Sequence, residues 1–154
     1  VLLRDDPLIP AAPPRPTDFA FLAMAARVAL DAADQQLRKR LLETAATLER
    51  GAADAPAFTA VAAHVHGVLT RDVEELVTVA KLQTAAGRPL LAAIALEDAA
   101  VVVAPEDRDT DAVQWLDQAL ASYSEAGAVA DTRRVRRSLR ERGAAQQLYL
   151  SPTP

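Results

Sequence analysis

Apolar residues recur every three or four positions along most of this chain, and short breaks divide them into seven segments of helical period. The first, about 18–32, aligns Phe19, Leu22, Ala26 and Leu30, with Thr17 or Asp18 as its cap. The second, about 35–50, starts at Asp34 and aligns Leu37, Leu41, Leu42, Ala45 and Leu48. Pro56 fits the first turn of a third helix, about 56–70, carrying Phe58, Val61, Ala62, Val65 and Leu69. Thr70 or Asp72 opens a fourth, about 72–86, with Val73, Leu76, Val77, Ala80 and Ala85. Pro89 opens a fifth, about 89–104, with Leu90, Ala93, Leu96, Ala99, Ala100 and Val103. After a turn at Pro105 and the acidic stretch 106–111, a sixth spans about 110–126 with Val113, Leu116, Ala119, Leu120 and Tyr123. The seventh, about 128–142, turns Val135 and Leu139 inward and is expected to stop at Gly143. Gly51, Gly87 and Gly127 close helices at separations of 36 and 40 residues, about one helix–turn–helix unit.

Composition strengthens the helical reading. Half the chain is apolar (51%), yet aromatics are only 4%, so alanine supplies much of the apolar surface. Alanine has the highest helix propensity and lets helices approach closely. Strand-favouring residues form no sustained alternation, and the expected class is all-α, a stack of about seven antiparallel helices. There is no cysteine, which excludes disulfides, thiolate metal sites and cysteine nucleophiles. That absence is compatible with a reducing cytoplasm, the expected location. No apolar run approaches a membrane span, and no secretory signal pattern is visible. The start at Val1 suggests a piece of something longer.

Three regions are expected. Residues 1–17 hold five of the ten prolines and read as an extended arm or linker, 18–143 as the helical domain, and 144–154 as a flexible tail. Charge is uneven. Between Ala128 and Gly143 six arginines face Asp131 and Glu141, a local net charge of +4, which leaves −8 on the rest of a chain that totals −4. Arg133, Arg137 and Arg140 share one helical face, and Arg134, Arg136 and Arg142 broaden it. Clustered guanidiniums suit carboxylate or phosphate recognition. Arg133, Arg134, Arg137 and Arg140 are therefore the candidate partner-binding residues, with a solvated terminal face or docking onto an acidic neighbour preferred over direct nucleic-acid contact.

Other candidate chemistry is thin. His64 and His66 lie two apart and point to different helix faces, so they are poorly placed to share a metal; a partly exposed structural role is expected. Asp107, Asp109 and Asp111 resemble a calcium-loop opening, but the sixth and twelfth positions are Ala112 and Gln118, not Gly and Glu. Acids before a helix N-terminus are explained by its dipole. Glu97 and Asp98 are adjacent acids on an otherwise apolar helix, and a salt bridge or hydrogen bond to a neighbouring helix, with Arg88 or Arg133 as candidate partners, is the expected outcome. Trp115, Tyr123, Phe19, Phe21 and Phe58 read as packing. No catalytic, metal-ligating or cofactor-binding residue is assigned.

The fifth and sixth helices carry a pattern that resembles the tetratricopeptide repeat. Leu96, Ala99, Ala100 and Val103 look like its first-helix positions, and Ala112, Val113, Leu116, Ala119 and Leu120 like its second. The resemblance makes Leu96, Ala99, Ala100, Ala112, Leu116, Ala119 and Leu120 the residues that pack the pair. Two longer strings, AGRPLLAAIALEDAA at 86–100 and DAVQWLDQALASYSEAGAVADTRRVRRSLRERG at 111–143, resemble the helical-repeat region of large actinobacterial ATP-dependent regulators of the LuxR type. In that family a nucleotide-binding module precedes the repeats and a helix-turn-helix follows them. Within the second string, SEAGAVADTRRVRRSLRERG at 124–143 looks like the final repeat helix, and LSPTP at 150–154 like the start of the linker to the DNA reader. The resemblance implies a non-catalytic sensor or scaffold segment that binds a protein partner, a second copy or an inducer; no membrane partner is expected, since no apolar run is long enough to span one. A free-standing helical-repeat adaptor is the alternative; nucleic-acid contact through the arginine helix is the lesser one.

Overall fold

The computed structural model describes residues 19–51, 55–103 and 109–150. Within them lie seven α-helices: α1 (Phe19–Asp31), α2 (Gln35–Gly51), α3 (Pro56–Thr70), α4 (Val73–Ala85), α5 (Pro89–Val102), α6 (Asp109–Glu125) and α7 (Val129–Leu150). The fold is all-α. Successive helices pack on one another, α3 also packs on α1, and α5 touches both α3 and α1. Each of α3 and α5 therefore leans on both members of the preceding pair, the arrangement of a helical repeat.

Local chemistry sets most helix ends. The Asp34 carboxylate accepts from the backbone N–H groups of Gln36 and Leu37, both at 3.0 Å, and so caps α2. Asp72 caps α4 through the Glu75 N–H at 3.0 Å. Pro56 and Pro89 occupy first-turn positions of α3 and α5, where no N–H is needed. Four helices among the described residues end in the same six-to-one backbone turn: Asp34 N–H to Ala29 O, Asp72 to Gly67, Arg88 to Gln83 and Ala128 to Tyr123. The left-handed residue is Gly87 or Gly127 in two of them, each with φ +69°. In the other two it is Ala33 (φ 51°) and Arg71 (φ 60°), which bear a Cβ in this conformation.

Two expectations about segment ends are revised or fall elsewhere. α7 does not stop at Gly143 but continues to Leu150. A glycine ends a helix where the chain must turn left-handed; inside a helix it costs only about 1 kcal/mol, and the Ala-Ala-Gln-Gln that follows favours continuation. The arm at 1–17, the capping residues Thr17 and Asp18, Asp107 and 151–154 lie outside the described residues.

Beside a smaller cluster of Val79, Ala80 and Ala95, the main core runs through the stack. Leu22, Leu41, Val65, Leu69, Leu76, Leu116, Tyr123 and Val135 are all buried within it. Ala99, Ala100, Ala112, Leu116 and Ala119 sit in this core, with Leu96 and Leu120 packed against it. Alanine at these positions brings α5 and α6 into close contact. Phe19 and Phe58 meet edge to face, centroids 5.5 Å apart, joining α1 to α3. Gly67, inside α3, is there for proximity: a Cβ would lie 2.9 Å from Leu76 Cγ on α4. No helix among the described residues is long and apolar enough to cross a membrane.

Candidate functional site

α5 is apolar nearly all round because it is the central helix, packed on α4 and α6 and touching α3 and α1. Its two acids, Glu97 and Asp98, are consequently buried, at 3% and 1% exposure. An isolated buried carboxylate is strongly unfavourable, so partners must converge on it. They come from four other helices.

Glu97 is held in a side-on clasp by Arg134 of α7: Nε donates to Oε1 at 2.6 Å and Nη2 to Oε2 at 2.7 Å. The Tyr123 hydroxyl of α6 also donates to Oε2, at 3.0 Å. Asp98 receives the Arg27 Nε of α1 on Oδ1. His64 of α3 lies 2.7 Å away, Nε2 to Oδ2, and the imidazole must donate because a carboxylate only accepts. Arg27 joins the two acids, since its Nη2 stands 3.5 Å from Glu97 Oε2 and also donates to Ile94 O at 3.3 Å. Arg134 in turn pairs with Asp131 at 2.7 Å, and its guanidinium lies 6.0 Å from the Tyr123 ring centroid.

Two carboxylates and two guanidiniums balance within this cluster. Burial works against the Arg27 charge, but Asp98 and then Glu97 outweigh it, and its pKa rises. The hydrogen bond to Glu97 raises Arg134 despite opposing burial. Burial and the neighbouring Glu97 push the Tyr123 phenol well above its ordinary value, against Arg27 and Arg134. Every oxygen of the acid pair accepts at least one hydrogen bond, so the arrangement is built to hold position. It fixes α1, α3, α6 and α7 to two adjacent residues of α5.

Compared with family models, curated proteins and solved structures, the chain matches none.

The sequence-based expectations meet this geometry unevenly. Glu97 and Asp98 are ion-paired as expected, but to Arg27 and Arg134, not to Arg88 or Arg133. His64 is buried (5%), not partly exposed, because its face of α3 turns toward Asp98. His66 does point the other way: it is exposed and meets Glu75, Nδ1 to Oε2 at 2.7 Å. Among the described residues no group of three or more metal-ligating side chains is gathered. Of the four candidate partner-binding arginines, Arg134 is committed to Glu97, while Arg133, Arg137 and Arg140 are exposed. Arg142 donates to the Ala100 carbonyl, and Arg71 reaches Val102 O at 3.4 Å, so two cations meet the C-terminus of α5, where the helix dipole favours them.

Sequence reasoning missed all four partners of the acid pair: Arg27, Arg134, the Tyr123 hydroxyl and His64. A signal existed for the first: Arg27 is the only cation in the alanine-rich α1, FAFLAMAARVALD, as Glu97 and Asp98 are the only acids in α5. Opposite charges stranded on two apolar helices must find each other when both are buried. Gln83 on α4 had no such signal; it is buried (2%) with its Oε1 unpaired among the described residues.

A shallow groove of about 250 Å³ lies between α2, α3 and α4. Ala45, Ala46, Ala62 and Ala63 contribute its apolar surface, and Glu49, Thr59 and the His66–Glu75 pair its polar groups.

Proposed function

We propose that this chain is a non-catalytic helical-repeat segment of a multidomain LuxR-type transcriptional regulator, which binds a protein partner or an inducer and couples that binding to flanking modules. The observation that carries the reading is the clasp on α5. α1 and α7 are the first and last described helices, and both are tied by guanidiniums to Glu97 and Asp98. Displacing either end must carry the other with it or break buried ion pairs, an all-or-none response that suits a coupling element. The resemblance of 86–100 and 111–143 to the repeat region of such regulators supports the same reading, and the α2–α3–α4 groove gives a small ligand room.

The test is to sequence the complete gene from its start codon to its stop codon. The reading expects a nucleotide-binding module with a GxxxxGK[ST] loop before this segment and a helix-turn-helix after it. A complete gene that encodes neither overturns it and leaves a free-standing adaptor.

A further inference from the structure

Four guanidiniums stand unopposed along the outward side of α7. Arg133, Arg136, Arg137 and Arg140 are exposed, and no ion pair or hydrogen bond joins any of them to the described residues. At spacings of three and four they form one stripe, about 10 Å long at 1.5 Å rise per residue. Val135 is buried and Leu139 packs against the core on the opposite side of the helix, so the stripe faces away from the stack. Like charges three and four apart repel and weaken the helix that bears them. Glu141, four residues beyond Arg137, is exposed and forms no ion pair within the described residues. The two arginines that do find partners, Arg134 and Arg142, turn toward α5.

We propose that this stripe docks an acidic helix of a partner protein, laid along α7 where a further helix of the repeat would pack. Guanidinium forks match carboxylates in two-point geometry, and carboxylates spaced three and four apart on a second helix repeat with the same rise as the arginines. A nucleic acid fits less well. The chain outside 128–143 carries −8, so a phosphate backbone running well past the stripe of about 10 Å meets a repelling field, which an acidic helix segment confined to about the stripe's length largely avoids. The proposal rests on the reading of the stack as a partner-binding scaffold, but not on the regulator assignment, so gene sequencing and the binding test below fail separately.

The full chain is titrated, by fluorescence anisotropy, with an alanine-based helical peptide bearing glutamates three and four residues apart. Its glutamine counterpart and a short DNA duplex serve as comparison probes. The glutamate peptide is expected to bind, more weakly as salt rises, and the glutamine peptide not to bind. Combining Arg133→Gln, Arg136→Gln, Arg137→Gln and Arg140→Gln should weaken binding by about tenfold or more. The same variant should melt at or above the parent temperature by circular dichroism, because repulsion has been removed. If it melts lower, Arg137→Gln alone is titrated with both peptides; weaker binding of the glutamate peptide supports the proposal, and unchanged binding overturns it. Tighter binding of the duplex would reassign the stripe to nucleic acid. Binding that ignores the substitutions, or none by the glutamate peptide, would reduce the stripe to the polar cap of a terminal helix.

Discussion

The two sides of α7 carry the same residue type in the same helix and meet opposite fates. Arg134 and Arg142 turn toward α5 and are taken up by a buried carboxylate and a helix C-terminus. Arg133, Arg136, Arg137 and Arg140 turn outward and meet nothing among the described residues. A run of arginines is thus two devices. One belongs to the architecture, since it is the counter-charge that lets Glu97 be buried. The other is exposed and keeps its charge unpaired among the described residues. What separates them is a rotation of about 100° per residue about the helix axis, which decides whether a guanidinium reaches α5.

The largest way to break this comparison is to remove what the inward side is held by. Glu97→Ala should cost about 3 kcal/mol, because the two-point contact with Arg134 is lost and the buried Tyr123 hydroxyl is left without its acceptor. Chemical denaturation followed by circular dichroism measures it, and a loss below about 1 kcal/mol would mean the clasp is dispensable. The comparison itself is sharpened by Arg134→Gln against Arg133→Gln. The first loses a two-point charged contact and should cost about 1.5–3 kcal/mol; the second should stay within about 0.5 kcal/mol of the parent. Equal effects from two neighbouring residues would erase the distinction.

A smaller effect tests the wall of the clasp. Tyr123→Phe removes one hydrogen bond to a carboxylate and should cost about 1–2 kcal/mol at neutral pH. It should also change the alkaline limb of stability. The phenol's pKa is raised in the folded state, by burial and by Glu97, so its contribution is complete below the unfolded value of about 10 and falls as pH climbs above it. The variant should decline less steeply above about pH 10, and parallel curves in paired pH–denaturation series would contradict the assignment.

Much of the fold was legible from local pattern. Asp34, Asp72, Pro56, Pro89, Gly87 and Gly127 mark helix ends by chemistry acting within one turn, and the three- and four-residue spacing identifies the inward sides. The ends of α1 and α3 were less explicit, because Ala33 and Arg71 adopt the left-handed turn that glycine usually signals. The clasp was only half legible. Two acids on an apolar helix announce that they need partners, but not which ones.

Helix number, class and most boundaries were therefore determined by the sequence itself, through interactions among residues a few positions apart. Tertiary structure alone decided that Arg27 reaches Asp98 across 71 residues, that Arg134 reaches Glu97 across 37, and that His64 is buried. It also decided that Gly67 lies against Leu76 and which arginines of α7 remain free. These contacts depend on the register and rotation of helices against one another. Those are set by packing of the whole alanine-rich core, and no spacing along the chain encodes them.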